Sequence, residues 1–178
     1  FEINFARHLA LVMMLQGAVL SLCGPMVARG LAPALACGNT AVVKPAEETP
    51  LSAILLIELL EAVGVPPGVV NVVPGHGEEA GRVLSEHPDV RHITFTGSIP
   101  TGKAVMAAAA THLASVTLEL GGKSPHVVLR DADLDVAVPS ILTGMYKNAG
   151  QICSAGTRLL VDRPIHEEVV DRLVQGVE

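Results

Sequence analysis

Short β-branched runs alternate with longer helical stretches along most of the chain, and this alternation constrains the fold more than any other feature. APALACGNT, residues 32–40, closes a helix at Gly38. Ala41 to Lys44 is a brief strand stopped by Pro45. Thr49 and Pro50 mark a helix start, with threonine as N-cap and proline in the first turn. That helix runs through LSAILLIELLEAV and stops at Gly64, a residue type suited to ending helices. After a Pro66-Pro67-Gly68 turn come a strand at Val69 to Val73 and a short helix from Gly77 to about Ser85. A strand at His92 to Thr96, an alanine-rich helix from Ser98 to Ala110 and a strand at Val116 to Leu120 follow. Beyond Gly122 the pattern repeats: strand His126 to Leu129, helix Leu134 to Tyr146, a turn around Cys153, strand Arg158 to Val161 and a helix from Pro164. Strands separated by helices predict a parallel sheet with right-handed crossovers. The fold class expected is therefore α/β, a doubly wound parallel sheet followed by the first part of a second α/β domain. The switch near Lys123 divides the chain into an atypical apolar segment at 1–31, one domain at 32–122 and part of another at 123–178.

Composition agrees with helices covering a sheet. Apolar residues make up 49% of the 178 residues, yet only 2% are aromatic and none is Trp, so Ala, Val and Leu must fill the interior. The net charge of −6, with no basic run, argues against nucleic acid, whose phosphates need a cationic face. Cys23, Cys37 and Cys153 are an odd set without paired spacing, which disfavours a disulfide scaffold and points to a reducing, cytoplasmic setting. The nearest histidine pair, His87 and His92, does not share a helical face, so no metal site is expected. Leu9 to Ala28 carries no Asp, Glu, Lys or Arg, which reaches the roughly 20 residues of a membrane span. Gly17, Gly24 and Pro25 interrupt that run, so a buried strand and loop is favoured over a membrane segment. The chain starts without Met and ends inside a helical pattern, which reads as a fragment or a truncated product.

Two segments carry chemistry. In VTLELGGKSP, Val116 to Pro125, a lone carboxylate at Glu119 sits between leucines and runs into Gly-Gly, which suits a close approach of backbone to ligand. An acid partly shielded by Leu118 and Leu120 is the kind of group that serves as a general base near neutral pH. In GQICSAG, Gly150 to Gly156, a thiol at Cys153 lies among small residues that leave it open to attack a substrate. The bland alternatives are a strand-end carboxylate paired with Lys123 and a small buried cysteine; Cys23 and Cys37 are assigned to the latter. Other segments suggest a nucleotide. Gly75-x-Gly77-x-x-Ala80 after a strand has dinucleotide-loop spacing, although the acid such a loop expects further on is missing. FTGSIPTG, Phe95 to Gly102, ends a strand and opens a helix whose free N–H groups can meet a phosphate. Lys44 and Glu47 place a donor and an acceptor at a strand end, a pair able to hold ribose hydroxyls.

LELGGKSP followed by NAGQICSAG resembles the aldehyde dehydrogenase superfamily, and the likeness continues from roughly Ala32 to the C-terminus. It implies that 32–122 is a Rossmann-like cofactor domain and that 123–178 begins a catalytic domain. It implies Cys153 as nucleophile and Glu119 as base. It also implies cofactor contacts at Lys44, Glu47, Gly77, Gly81, Phe95, Thr96, Gly97, Ser98, Thr101, Gly102, Leu120 and Gly121. The cofactor implied is NAD, with NADP possible, because Glu47 would repel a 2′-phosphate. The substrate implied is a small aldehyde, oxidised to an acid through a thiohemiacetal and a thioester, in a full-length protein that forms a homo-oligomer. The N-terminal part departs from the family: its Pro-Trp-Asn-Phe-Pro loop, whose Asn completes the oxyanion hole, is missing. Alternative registers put Ser21 or Cys23 at that position. Loss of one such donor costs on the order of 10² to 10³ in turnover. The competing reading is a truncated, non-catalytic nucleotide-binding or interaction fragment.

Overall fold

The structure is a computed structural model, and it describes residues 30–177. The expectations for Leu9 to Ala28, Ser21 and Cys23 lie outside the described residues. Helix α1 (Ala32–Ala36) ends where Gly38 takes a left-handed φ of 78°. Strand β1 (Ala41–Val43), helix α2 (Leu51–Ala62) and strand β2 (Val70–Val72) follow. Next come a π-helical turn at Gly77–Gly81, helix α3 (Arg82–Glu86), strand β3 (His92–Gly97), helix α4 (Ile99–Ala110) and strand β4 (Ser115–Leu120). Strand β5 (Pro125–Val128), helix α5 (Leu134–Tyr146), a 3₁₀ turn (Lys147–Gly150), strand β6 (Arg158–Val161), a second 3₁₀ turn (Arg163–Ile165) and helix α6 (His166–Val177) complete the order. The molecule is α/β, as the alternation predicts.

Among the described residues the strands pair two by two, β1 with β2, β3 with β4 and β5 with β6. β1 and β2 run parallel with Val42 opposite Asn71, and β5 and β6 run parallel with His126 opposite Leu159. The helix between each parallel pair supplies the crossover that parallel strands require.

The ends of α2 show how local chemistry sets an element. Thr49 was expected as its cap, but Pro50 occupies that position with no side-chain cap bond. Pro50 is itself already helical at φ −79° and ψ −23°, and its carbonyl accepts from the Ala53 and Ile54 N–H groups, so the helix starts at Pro50. At the other end Val65 donates to the Leu60 carbonyl across a left-handed Gly64, the bond pattern of a Schellman stop. In α5, Asp133 accepts from the Asp135 N–H and caps the first turn.

The described residues divide into two compact units, 30–95 with 104–117, and 96–103 with 118–177. In the first, buried Leu31, Leu56, Leu60 and Val70 pack with Ala41, Val43 and Ile57. In the second, Val128, Ile141 and the fully buried Val169 pack with Leu159, Val161 and Leu173. Both cores are aliphatic, as a chain with 2% aromatic residues requires. Arg172 of α6 reaches Asp135 of α5 and Glu168 of its own helix, each at 2.7 Å, and these two carboxylates raise its pKa.

Candidate active site

Glu119, Leu120, Gly121 and Cys153 all belong to the second unit, together with Thr96, Gly97, Ser98, Thr101 and Gly102. Glu119 is half-buried near the end of β4, and Cys153 is exposed as a free thiol. The strand end comes close to the thiol's main chain: a Cβ on Gly122 would lie 3.8 Å from the Cys153 carbonyl oxygen. At Gly121 a Cβ would meet nothing within 4 Å, so the backbone there faces open space that a ligand can enter.

The segment carrying the thiol has an uncommon backbone. Asn148 and Ala149 are left-handed at φ 53° and 55°, and Gly150 continues at 72°. Non-glycine residues adopt this region at a cost, and such strain concentrates at working sites. The Asn148 side chain donates to the Gln151 carbonyl at 3.2 Å and the Gln151 N–H donates to the Asn148 carbonyl at 3.1 Å, which holds the turn. Gly156 donates to the Gly144 carbonyl of α5 at 3.2 Å, tying the loop's exit to the helix before it. Among the described residues no backbone carbonyl accepts from the Cys153 N–H. Sequence reasoning missed this turn. An Asn followed by Ala and Gly hints at left-handed backbone only at its first and third positions.

Helix α4 starts at the FTGS loop. Ser98 Oγ accepts from the Thr101 N–H at 3.2 Å and lies 2.8 Å from Thr101 Oγ1, so serine caps the helix as expected. Gly102 is buried beneath Leu120: a Cβ there would come within 2.6 Å of Leu120 Cδ2. The helix start and the strand end beside Glu119 are thus in direct contact through a glycine.

Lys44, Glu47, Gly77, Gly81 and Phe95 lie in the first unit. Lys44 Nζ donates to the Gly75 carbonyl at 2.9 Å and to Glu47 Oε2 at 3.4 Å. Its stem runs over Gly81, where a Cβ would be 3.4 Å from Lys44 Cδ. Above Gly77 a Cβ would meet nothing within 4 Å. The Glu47 carboxyl is held below its ordinary pKa by a hydrogen bond from its own backbone, aided by Lys44 and His76 against partial desolvation. A groove of about 600 Å³ lined by Val127, Leu129, Leu160 and His166 lies on the β5–β6 pair and includes neither Cys153 nor Glu119.

The aldehyde dehydrogenase family profile matches residues 24–178. The chain belongs to the aldehyde dehydrogenase family. It is 51% identical over 146 residues to aldehyde dehydrogenase 1A1 of Gallus gallus, covering 82% of this chain and 29% of that protein. It is 54% identical over 147 residues to 2-hydroxymuconic semialdehyde dehydrogenase of Pseudomonas sp. (strain CF600), covering 82% and 30%. Betaine aldehyde dehydrogenase from Staphylococcus aureus, solved in complex with NAD+, superposes with a TM-score of 0.80 at 46% identity, covering 83% of this chain and 29% of that one. This aldehyde dehydrogenase chain therefore spans less than a third of the length of these relatives.

Proposed function

We propose that the chain supplies the nucleophile, the base and much of the cofactor site of an NAD(P)-dependent oxidation of an aldehyde to a carboxylic acid. The observation that carries this reading is the approach of the LELGG strand end to the Cys153 main chain within one compact unit. The Cys153 sulfur attacks the aldehyde carbon, and the Cys153 N–H donates to the oxygen that gains charge. An ordinary thiol is mostly protonated near neutral pH, so Glu119, directly or through water, takes its proton. NAD, when bound, accepts the hydride that leaves the substrate carbon, which turns the thiohemiacetal on sulfur into a thioester. Glu119, having released the thiol proton to solvent, then takes a proton from the water that hydrolyses the thioester and returns it to the departing sulfur, so the acid leaves with the Cys153 thiol restored.

The residues fit such a cofactor. Lys44 and Glu47 are a donor and an acceptor at a strand end, matched to a vicinal diol. The Ser98-capped start of α4 suits a phosphate, and Gly77 and Gly121 have open space where a side chain would stand. The same proposal takes Gly81, Phe95, Thr96, Gly97, Thr101, Gly102 and Leu120 as further cofactor contacts. Relatives solved with NAD and one described as an NADP dependent enzyme support both cofactors, with Glu47 favouring NAD. The same reading takes 32–122 as cofactor domain and 123–178 as the start of the catalytic domain, in a cytoplasmic homo-oligomer. Among the described residues no helix is long and apolar enough to cross a membrane.

Aldehyde-dependent NADH production tests the proposal. The expected result is a burst in the wild type that vanishes in Cys153→Ala. No burst, with NAD still binding by calorimetry, would favour a non-catalytic nucleotide-binding role.

A further inference from the structure

We propose that His126 is a positioning residue for Cys153: its imidazole fills the space left by the absent side chains of Gly144 and Gly156 and so fixes the loop that presents the thiol. His126 sits on β5, opposite Leu159 of β6. A Cβ on Gly144 would lie 3.0 Å from His126 Nε2 and 3.1 Å from Cε1. A Cβ on Gly156 would fall within the ring's own envelope, 2.9 Å from Cε1 and nearer still to Nε2 and Cδ2. Gly144 belongs to the helix that enters the loop and Gly156 stands at its exit, three residues past Cys153. The one ring therefore touches both ends of the segment, beside the Gly156 to Gly144 hydrogen bond that ties them.

The ring's polarity does not explain its place. Nε2 is buried and has no hydrogen-bond partner among the described residues. Buried polar atoms are nearly always paired, so an unpaired one marks a position kept for another reason. Shape is that reason here: the imidazole is a flat spacer over two residues that have no side chain to clash with it. A loop with three consecutive left-handed residues needs such external support, because its own backbone preferences do not hold it.

The inference takes its consequence from the reading of Cys153 as nucleophile, but its test requires no turnover. Alkylation of the full chain by iodoacetamide is followed by peptide mass spectrometry, with the exposed Cys37 of the other unit as internal reference. Gly156→Ala forces ring and loop apart, so the Cys153 to Cys37 rate ratio is expected to change by about fivefold or more. His126→Ala removes the support itself, so it is expected to change the ratio by about as much on its own, and the double variant is expected to stay within about twofold of His126→Ala because the new methyl no longer meets a ring. If Gly156→Ala does not fold, Gly144→Ala carries the same comparison through its milder contact with the ring. An unchanged ratio in the glycine variant, or effects that simply add in the double variant, would overturn the proposal. A chain that makes no NADH yet shows this coupling would sink the enzymatic reading and leave the positioning role standing.

Discussion

The Glu47 carboxylate takes a hydrogen bond from its own backbone and lies 3.4 Å from Lys44 Nζ and 3.9 Å from His76 Nδ1. Because these contacts lower its folded pKa, its contribution to stability is complete above the ordinary glutamate value and is lost as pH falls through the depressed one. Carboxyl-carbon NMR is expected to place its midpoint below that of an exposed glutamate. Lys44→Met should raise the midpoint only part of the way, since the backbone bond remains; no movement would mean that the ion pair contributes nothing. The same carboxylate is expected to disfavour a 2′-phosphate. Glu47→Gln should therefore raise the NADP to NAD ratio of kcat/KM, and an unchanged ratio would remove Glu47 from the 2′ position. At this scale the sequence showed which groups were present but not how they are held. The Lys44–Glu47 pairing followed from a three-residue spacing, whereas the Lys44 bond to Gly75, thirty-one positions away, could come only from the fold.

Among the elements, the most legible boundaries were those written in glycine and proline. Gly64 ended α2 because only a residue at ease with a φ of 91° permits the Val65 to Leu60 bond. Gly64→Ala is expected to destabilise the chain by roughly 1–2 kcal/mol, read from the urea midpoint. Helix α5 spans Leu134–Tyr146, the range expected from the sequence to within its ends, and Asp133 caps its first turn. The Thr49 cap failed because Pro50, already helical, takes the N-cap position. The left-handed Asn148–Ala149 pair and the ring beneath Gly156 were not legible, since both arise from packing between segments far apart in the chain. Packing also ranks the core positions. Val169 is fully buried between α5, β5 and β6 side chains, so Val169→Ala should cost about 2–3 kcal/mol from two lost methyl groups plus the void they leave. A cost near zero would show that this core repacks freely.

Across the whole chain, alternation alone predicted an α/β fold, and the parallel β1–β2 and β5–β6 pairs with their crossover helices express it. The outer face of the β5–β6 pair leaves Val127 64%, Leu129 59% and Leu160 57% exposed, while the inner face holds the second core. A contiguous apolar strand face of this kind favours self-association. Val127→Thr with Leu160→Thr is expected to lower ANS fluorescence without lowering the melting temperature; unchanged fluorescence would place the dye elsewhere. The central claim concerns the second unit, where the Glu119 strand end and the Cys153 loop converge. Peptide mass spectrometry of Glu119→Gln after mixing with an aldehyde and NAD tests it most directly. The account predicts an acyl group that persists on Cys153 in the variant and is lost by hydrolysis in the wild type. An adduct that forms and clears equally fast in both proteins would contradict it.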